Sequence, residues 1–329
     1  MNATHRPLRL GTRRSQLAMA QSGGVAEQVT RLTGRPVELV EITTYGDVSR
    51  EALATIGGTG VFVSALREAL LAGEIDFAVH SLKDLPTAEP EGLALAALPT
   101  RADPRDVLVA RDGLTFDGLT ADATRPVRIG TGSPRRAAQL NSWARSLGRP
   151  VETVAIRGNV DTRIGFVRSG ELDAVVLAAA GLHRLGRAGE ISEALSPDIM
   201  LPAPGQGALA IECAASDADL VTRLSGLDDP HTRAAVTAER ALLATLEAGC
   251  SAPVGAYADL LPGDGTHGQN VTELRLRGVV GTTDGTTLVQ LSTTGPLPAS
   301  PGEAAAVGRG LAEEMLAKGA AGLMGEREH

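Results

Sequence analysis

The sequence is poor in aromatic residues and cysteine, and it lacks long apolar runs. Aromatic residues make up 2% of its 329 residues, which argues against binding of single-stranded nucleic acid because that binding uses aromatic stacking platforms. Two cysteines are too few for a disulfide framework, and no Cys/His cluster has zinc spacing, so we expect no metal. No apolar run reaches the length of a membrane-spanning helix and the first residues lack the apolar core of a signal peptide, so we expect a cytoplasmic protein without a membrane partner.

Lysine is also scarce, and the cations are distributed unevenly. The formal net charge is -8, and the acidity lies in residues 203–329, which carry 8 cationic and 16 acidic side chains. In residues 106–202 all 12 cations are arginine. Arginine is the side chain suited to bidentate hydrogen bonding with carboxylate or phosphate. Nucleic acid binding usually needs a net basic surface. The pattern therefore favours a small or medium-sized polyanion as ligand.

Apolar and β-branched runs alternate with helical patterns and predict an α/β fold. The first set has predicted strands at 8–12, 37–43, 75–79 and 93–98 and helices at 16–32 and 61–71. The second set has predicted strands at 106–110, 127–130, 151–156 and 174–179 and helices at 134–147 and 160–168. A further strand is predicted at 208–213, after the second set.

Two proline-containing segments, 100–106 and 201–207, are interpreted as crossings between two α/β lobes around a hinged cleft. The remainder predicts a small α+β domain, with helices at 231–246 and 303–316, strands near 254–260, 274–280 and 287–293, and an Asp-Gly hairpin turn. The predicted domains are 1–101 with 207–226, then 106–202, then 229–329.

Each lobe contains a run of strand, Gly-Thr, Ser and helix, at 8–18 and at 127–140. Such a turn directs backbone N–H groups and the helix dipole toward an anion. The first copy places Arg13 near Ser15, and the second places Arg135 and Arg136 near Ser133. The alternative is that each serine is an ordinary N-cap.

Further arginines follow the strand ends of the second lobe. Arg157 ends a strand, Arg163 lies about one turn into the next helix, and Arg184 follows another strand end. Each could belong to a solvated helix face. Because several strand-end segments carry arginine at the same predicted edge, the set favours an anion site.

Lys83 and Asp84 follow an apolar strand, and the chain contains only one other lysine, Lys318. Ligands of α/β sheets bind where parallel strands end, and a carboxylate there can stabilise positive charge or move a proton. Asp84 is therefore the first candidate for chemistry, although a solvated pair at a strand end is the simpler alternative.

The two cysteines differ in their surroundings. Cys213 lies in an apolar strand pattern, as a structural cysteine does, whereas Cys250 lies in a loop of Gly, Ser, Ala and Pro after a helix. Cys250 could be a nucleophile, a redox thiol or an attachment point. Without a CxxC motif or an evident His/Asn set, thiol-protease chemistry is poorly supported.

Taken together, the motifs resemble those of the hydroxymethylbilane synthases, also called porphobilinogen deaminases. They occur in the family's order, as RLGTRRSQLA, GGTGVF, AVHSLKDLP, DPRD, GTGSPRRAAQL, RGNVDTR, AGLHRLG, LPAPGQGA, TAERALL and EAGCSAPVGA. The resemblance implies two lobes like a type II periplasmic binding protein, with the active site in their cleft, and a third domain. It also implies condensation of four porphobilinogen molecules head to tail, with release of ammonia and hydrolysis to hydroxymethylbilane.

The resemblance further implies a role for each matching residue. Asp84 would be catalytic, and Cys250 would hold a dipyrromethane cofactor, built from the same substrate, through a thioether. Contacts with cofactor or substrate are implied for Arg13, Ser15, Phe62, Lys83, Ser133, Arg135, Arg136, Arg157, Arg163, Arg184 and Gln206. The family also suggests a monomer.

Four positions depart from the commoner family pattern. Thr55 and Thr59 stand where many relatives have lysine, Tyr45 where arginine is frequent, and Gly132 where serine is usual. These changes remove up to three cations from the first lobe, so a role of the 55–62 loop as a charged lid is not supported by its composition.

Two other classes of protein would explain part of the pattern. A non-catalytic anion-binding protein would explain the arginines but neither Asp84 nor Cys250. A thiol-dependent transferase would explain Cys250 but not the arginines. The intact mass separates them from the synthase, which alone predicts a covalent dipyrrole.

Overall fold

A computed structural model of the protein describes residues 6–42, 60–247, 252–262 and 271–324. The chain divides into two compact units. The first unit contains Met1–Ala102 and Ala208–Arg233, and the second contains Asp103–Gly207 and Ala234–His329. The first boundary lies inside the predicted crossing at 100–106, and the second lies at the end of the predicted crossing at 201–207. The finer division into three domains stays a prediction.

The described residues form three sheets and their covering helices. The strands are β1 (Leu8–Thr12), β2 (Val37–Glu41), β3 (Phe77–Ser81), β4 (Leu93–Ala97), β5 (Asp106–Ala110), β6 (Val127–Thr131), β7 (Val151–Ala155), β8 (Ala174–Ala178), β9 (Glu193–Ala194), β10 (Leu209–Ala214), β11 (Val254–Pro262), β12 (Val271–Gly281) and β13 (Leu288–Pro296). The α-helices are α1 (Gln16–Thr33), α2 (Gly60–Leu71), α3 (Phe116–Thr120), α4 (Pro134–Ser146), α5 (Val160–Arg168), α6 (Ala179–Arg184), α7 (Ala218–Leu224), α8 (Pro230–Thr245) and α9 (Pro301–Ala317).

The first unit is built on a mixed five-stranded sheet with the order β2-β1-β3-β10-β4. Strand β1 runs parallel to β2 and β3, and β10 runs antiparallel to β3 and β4. Leu10, Phe77 and Ile211 are completely buried in its core, which is why these strands read as apolar runs. The carboxyl ends of β1 and β3 consequently meet at one edge of this sheet.

The second unit contains a similar sheet with the order β7-β6-β8-β5-β9. Strand β6 runs parallel to β7 and β8, whereas β5 runs antiparallel to β8. The amino end of β5 therefore lies at the same edge as the carboxyl ends of β6, β7 and β8. The predicted arginine segments follow those three strands.

The second unit also contains the antiparallel sheet β11-β12-β13, packed with α8 and α9. The predicted Asp-Gly hairpin joins β12 to β13, and Gly285 has a φ of 69°, in the left-handed region that favours glycine. The predicted fold class, two α/β lobes and a small α+β domain, is confirmed.

The structure differs from the sequence prediction in some details. Strand β3 begins at Phe77 rather than at residue 75, and the Asp76 carboxylate just before it accepts hydrogen bonds from the backbone and side chain of Arg9. The short helices α3, α6 and α7 were not predicted, since five to seven residues give little periodicity. Among the residues that the structure describes, no helix is long and apolar enough to cross a membrane, and no cluster of three metal-binding side chains occurs.

Candidate active site

Lys83 and Asp84 lie in a tight turn that follows β3 directly. Leu82 starts this 3-10 turn and is completely buried, and its N–H donates to the carbonyl of Ala208 at 3.0 Å. Asp84 is exposed and Lys83 is half-buried. The Asp84 carboxylate has no hydrogen bond or ion pair to another residue of the described ranges, so it remains available to a ligand.

Arg13 and Ser15 follow the carboxyl end of the neighbouring strand β1. Both are half-buried, and the Ser15 hydroxyl accepts the N–H of Ala18 at 3.2 Å as the N-cap of α1. The capping role is therefore seen, and a ligand contact by Ser15 stays a prediction. Because β1 and β3 are adjacent and parallel, Arg13, Ser15, Lys83 and Asp84 belong to the same edge of the first sheet.

A buried charge network packs against β3 just before this turn. Glu212 on β10 is 2% exposed, and its carboxylate accepts two hydrogen bonds from Arg67 of α2, at 2.7 and 3.1 Å. His80 Nε2 lies 3.1 Å from the same carboxylate. Burial alone would raise the pKa of Glu212, but the partners His80 and Arg67 lower it to about 2. Glu212 therefore links Arg67 of α2 to His80 of β3, the strand that precedes Asp84.

In the second unit, Arg135 and Arg136 are held by Asp106, the first residue of β5. Arg135 Nη1 donates to Asp106 at 2.6 Å and to the carbonyl of Leu201 at 2.7 Å. Arg136 donates from Nε and Nη2 to the other carboxylate oxygen, at 3.0 and 2.8 Å. Burial would raise the pKa of Asp106, but the two guanidinium groups hold it far below its ordinary value. These two arginines thus share one counter-charge.

Ser133 and Gln206 also have partners within the second unit. The Ser133 hydroxyl caps α4 by accepting the N–H of Arg136 at 3.5 Å. Gln206 is 1% exposed and donates from Nε2 to Asp106 and to the carbonyl of Pro104, both at 2.8 Å. Gln206 therefore joins the two predicted crossing segments, and its contact with cofactor or substrate stays a prediction.

Arg157, Arg163 and Arg184 form a contrasting group at the same sheet edge. Arg163 Nε donates to the carbonyl of Gly158 at 2.8 Å, and Arg184 Nη2 donates to that of Gly207 at 2.7 Å. Arg157 is exposed. None of the three pairs with a carboxylate in the part of the chain that the structure covers.

Two of these arginines are partly removed from water. Burial, and then the nearby charge of Arg136, lowers the pKa of Arg163, and burial lowers the pKa of Arg184. A half-buried cation without a counter-charge is costly. The edge of the second sheet is therefore electrostatically suited to an anionic ligand.

Gly132 has a structural reason for being glycine here. A Cβ atom at this position would lie 2.5 Å from the carbonyl oxygen of Ile156. The serine that is commoner in the family would therefore require the segment after β7 to move.

Several predicted residues lie outside the described residues. They are Cys250, Thr55, Thr59 and Tyr45, and the side chain of Phe62 is likewise outside the description. Their roles stay predictions.

The sequence interpretation missed Asp106, Glu212 and Glu239 as members of the site's supporting framework. Glu239 is completely buried and accepts the N–H groups of Gly205 and Ala258, at 2.7 and 2.9 Å. The available signal was an acidic residue inside or beside an apolar run, because such a residue must be paired when it is buried.

Fold and site together define an α/β protein with two mixed five-stranded sheets, each bearing charged side chains at the edge where its parallel strands end. Comparison with protein families gives the particular assignment. Residues 8–239 match the model of the porphobilinogen deaminase dipyrromethane cofactor-binding domain, and residues 233–317 match the model of the porphobilinogen deaminase C-terminal domain. The chain belongs to the porphobilinogen deaminase family.

Curated relatives agree over nearly the whole chain. Porphobilinogen deaminase 1 of Streptomyces avermitilis is 75% identical, with 98% of both chains covered. Porphobilinogen deaminase of Thermobifida fusca is 55% identical, covering 95% of this chain and 94% of the relative. The periplasmic aliphatic sulphonate binding protein of Escherichia coli matches with a TM-score of 0.36 and 14% identity, over 74% of this chain and 71% of that one.

The family resemblance drawn from the motifs is therefore confirmed. The chain has porphobilinogen deaminase activity, in tetrapyrrole biosynthesis, and it contains the dipyrromethane cofactor-binding domain. Porphobilinogen is the substrate that the family implies. The monomeric state and the cytoplasmic location stay predictions.

Proposed function

We propose that the edge of the second sheet holds the carboxylates of the dipyrromethane cofactor and of porphobilinogen. One observation carries this proposal. Arg157, Arg163 and Arg184 share that edge, and no acidic side chain of the described ranges compensates them. A cluster of cations persists at such a cost when it serves a ligand of opposite charge.

The residues present fit the cofactor that the family implies. Each pyrrole of a dipyrromethane carries an acetate and a propionate, so the bound group requires several cationic donors. Arginine supplies them in a geometry that matches carboxylate. When bound, the cofactor supplies a pyrrole carbon as the nucleophile to which substrate is joined.

Asp84 is proposed as the catalytic carboxylate. Release of ammonia breaks the carbon–nitrogen bond of the aminomethyl group, and the electron pair leaves with nitrogen, so a positive charge spreads over the pyrrole ring. A carboxylate near that ring stabilises the charge as it develops. Asp84 suits this role because it is exposed on a turn that the buried Leu82 anchors.

Cys250 is proposed as the attachment point of the cofactor, on the family resemblance alone. Replacement by serine should give a folded protein whose intact mass lacks the dipyrrole and which has no activity. Full turnover by Cys250→Ser would show that the attachment role is wrong.

The anion site is tested with Arg163→Met and the matched control Arg168→Met. Both residues lie on α5, but Arg168 is exposed and pairs with Glu190 at 3.0 Å. A charge-assisted hydrogen bond contributes about 1.5–3 kcal/mol. We therefore expect Arg163→Met to lower cofactor occupancy, measured by intact mass, or to raise KM for porphobilinogen about tenfold or more.

The control should keep both quantities within about twofold of the wild type. If Arg163→Met also has normal occupancy and normal KM, the sheet edge does not hold carboxylates through this residue. Arg184→Met repeats the test at an independent strand end.

A further inference from the structure

Asp106 is the point at which three predicted ligand-binding residues meet. Its carboxylate is completely buried and accepts hydrogen bonds from Arg135, Arg136 and Gln206, at 2.6 to 3.0 Å. These donors also bond to backbone carbonyls, namely those of Pro104, Val176 and Leu201. Asp106 therefore defines where both guanidinium groups sit.

Two neighbouring contacts hold this arrangement in place. Asp106 begins β5 and pairs in register with Ala178, the last residue of β8. Gly205, next to Gln206, is held by the buried carboxylate of Glu239. The carboxylate is thus fixed at the sheet edge where the uncompensated arginines lie.

A buried carboxylate with no exposed surface cannot itself contact a ligand. It does set the net charge of its neighbourhood, because it offsets one of the two cations beside it. It also sets the direction of the Arg136 guanidinium, because two of its N–H groups bond to one carboxylate oxygen of Asp106.

We propose that Asp106 is a positioning residue of the anion site: it orients Arg135 and Arg136 for the carboxylates of cofactor and substrate without touching either. This inference rests on the proposed function of the arginine edge. It extends that proposal to a residue that could act only through its neighbours.

Asp173 offers a matched control in the same sheet. It is 4% exposed, and it pairs with Arg125 at 2.7 Å and Arg111 at 3.0 Å. It precedes the first residue of β8, whereas Asp106 faces the last. Each aspartate therefore serves two arginines, at opposite ends of one strand, and only one end carries the proposed site. The partners of Asp173 are exposed, whereas Arg135 and Arg136 are buried.

The test compares Asp106→Asn with Asp173→Asn. Both should lower the melting temperature, because each leaves two arginines without their carboxylate. Only Asp106→Asn should also reduce cofactor occupancy in the intact mass below about half, or raise KM for porphobilinogen about tenfold, while kcat of the loaded fraction changes less than about threefold. Equal occupancy and equal KM in the two variants would overturn the proposal.

If Asp106→Asn does not fold, Asp106→Glu tests the proposal instead. This variant keeps the negative charge, but its side chain is longer by one methylene group and therefore shifts the two arginines. A KM raised about threefold or more supports positioning, and a KM within about twofold of the wild type, with normal occupancy, overturns it. Arg163→Met separates this proposal from the proposed function. If that variant also behaves as the wild type, the anion site itself is wrong; if it is impaired while the Asp106 variants are normal, only the positioning role fails.

Discussion

Arg135 and Arg163 should respond in different ways to the same substitution. Arg163→Met removes one hydrogen bond to a carbonyl, which contributes about 1 kcal/mol. It also removes a half-buried cation that is repelled by the like charge of Arg136. The two effects offset each other. We expect the free energy of unfolding to change by less than about 1 kcal/mol.

Arg135→Met removes a fully buried donor that holds both Asp106 and the carbonyl of Leu201. Breaking a buried pair on one side costs about 3–5 kcal/mol. The difference between the variants is therefore about 3 kcal/mol, which corresponds to about 6 °C or more in melting temperature for a domain of this size.

The assay is urea or thermal unfolding followed by circular dichroism, with the cofactor content of each preparation measured by intact mass. Samples of equal cofactor content are compared, because a bound ligand stabilises the folded state. An equal loss of stability in both variants would refute the distinction between compensated and uncompensated arginines.

Three further predictions concern catalysis, pH and packing. Asp84→Asn should retain the cofactor but lose about 100-fold or more in rate, and a steady-state loss below about threefold would contradict its role. The folded-state pKa of Glu212 is lowered from 4.5 to about 2. Its ionised form therefore contributes about 3 kcal/mol to the free energy of unfolding above pH ~4.5, and this contribution disappears as the pH falls toward ~2. Glu212→Gln should flatten the dependence of stability on pH in this range, whereas Glu27→Gln, at an exposed position, should leave it unchanged. Gly132→Ser should lower the free energy of unfolding by about 1–3 kcal/mol, in contrast to Gly165→Ser, where a Cβ atom meets nothing within 4 Å.

Much of the fold could be predicted because strands buried on both faces are continuous apolar runs. The bounds of β1, β5 and α5 agree with the sequence prediction to the residue. The common edge of the arginine segments was also predictable, since parallel strands place their carboxyl ends together. The predicted start of β3 was two residues too early, at a place where Asp76 bonds to Arg9, 67 residues away in sequence.

The supporting charges of the site could not be predicted in the same way. Arg135 and Arg136 were predicted as ligand contacts, and only the pairing of β5 with β8 brings Asp106 to them, 29 and 30 residues away in sequence. Arg67 and Glu212 are 145 residues apart. Local periodicity carries no information about which distant side chains share a buried position.

The sequence by itself determined the family, the order of strands and helices and the chemical types of the candidate site residues, because motifs and apolar periodicity are local properties. Only the tertiary structure decided which arginines are compensated. Arg136 shares the buried carboxylate of Asp106, whereas Arg163, on the next helix along the chain, has no acidic partner among the residues described. Strand register decides this, because the strength of an ion pair depends on distance and burial.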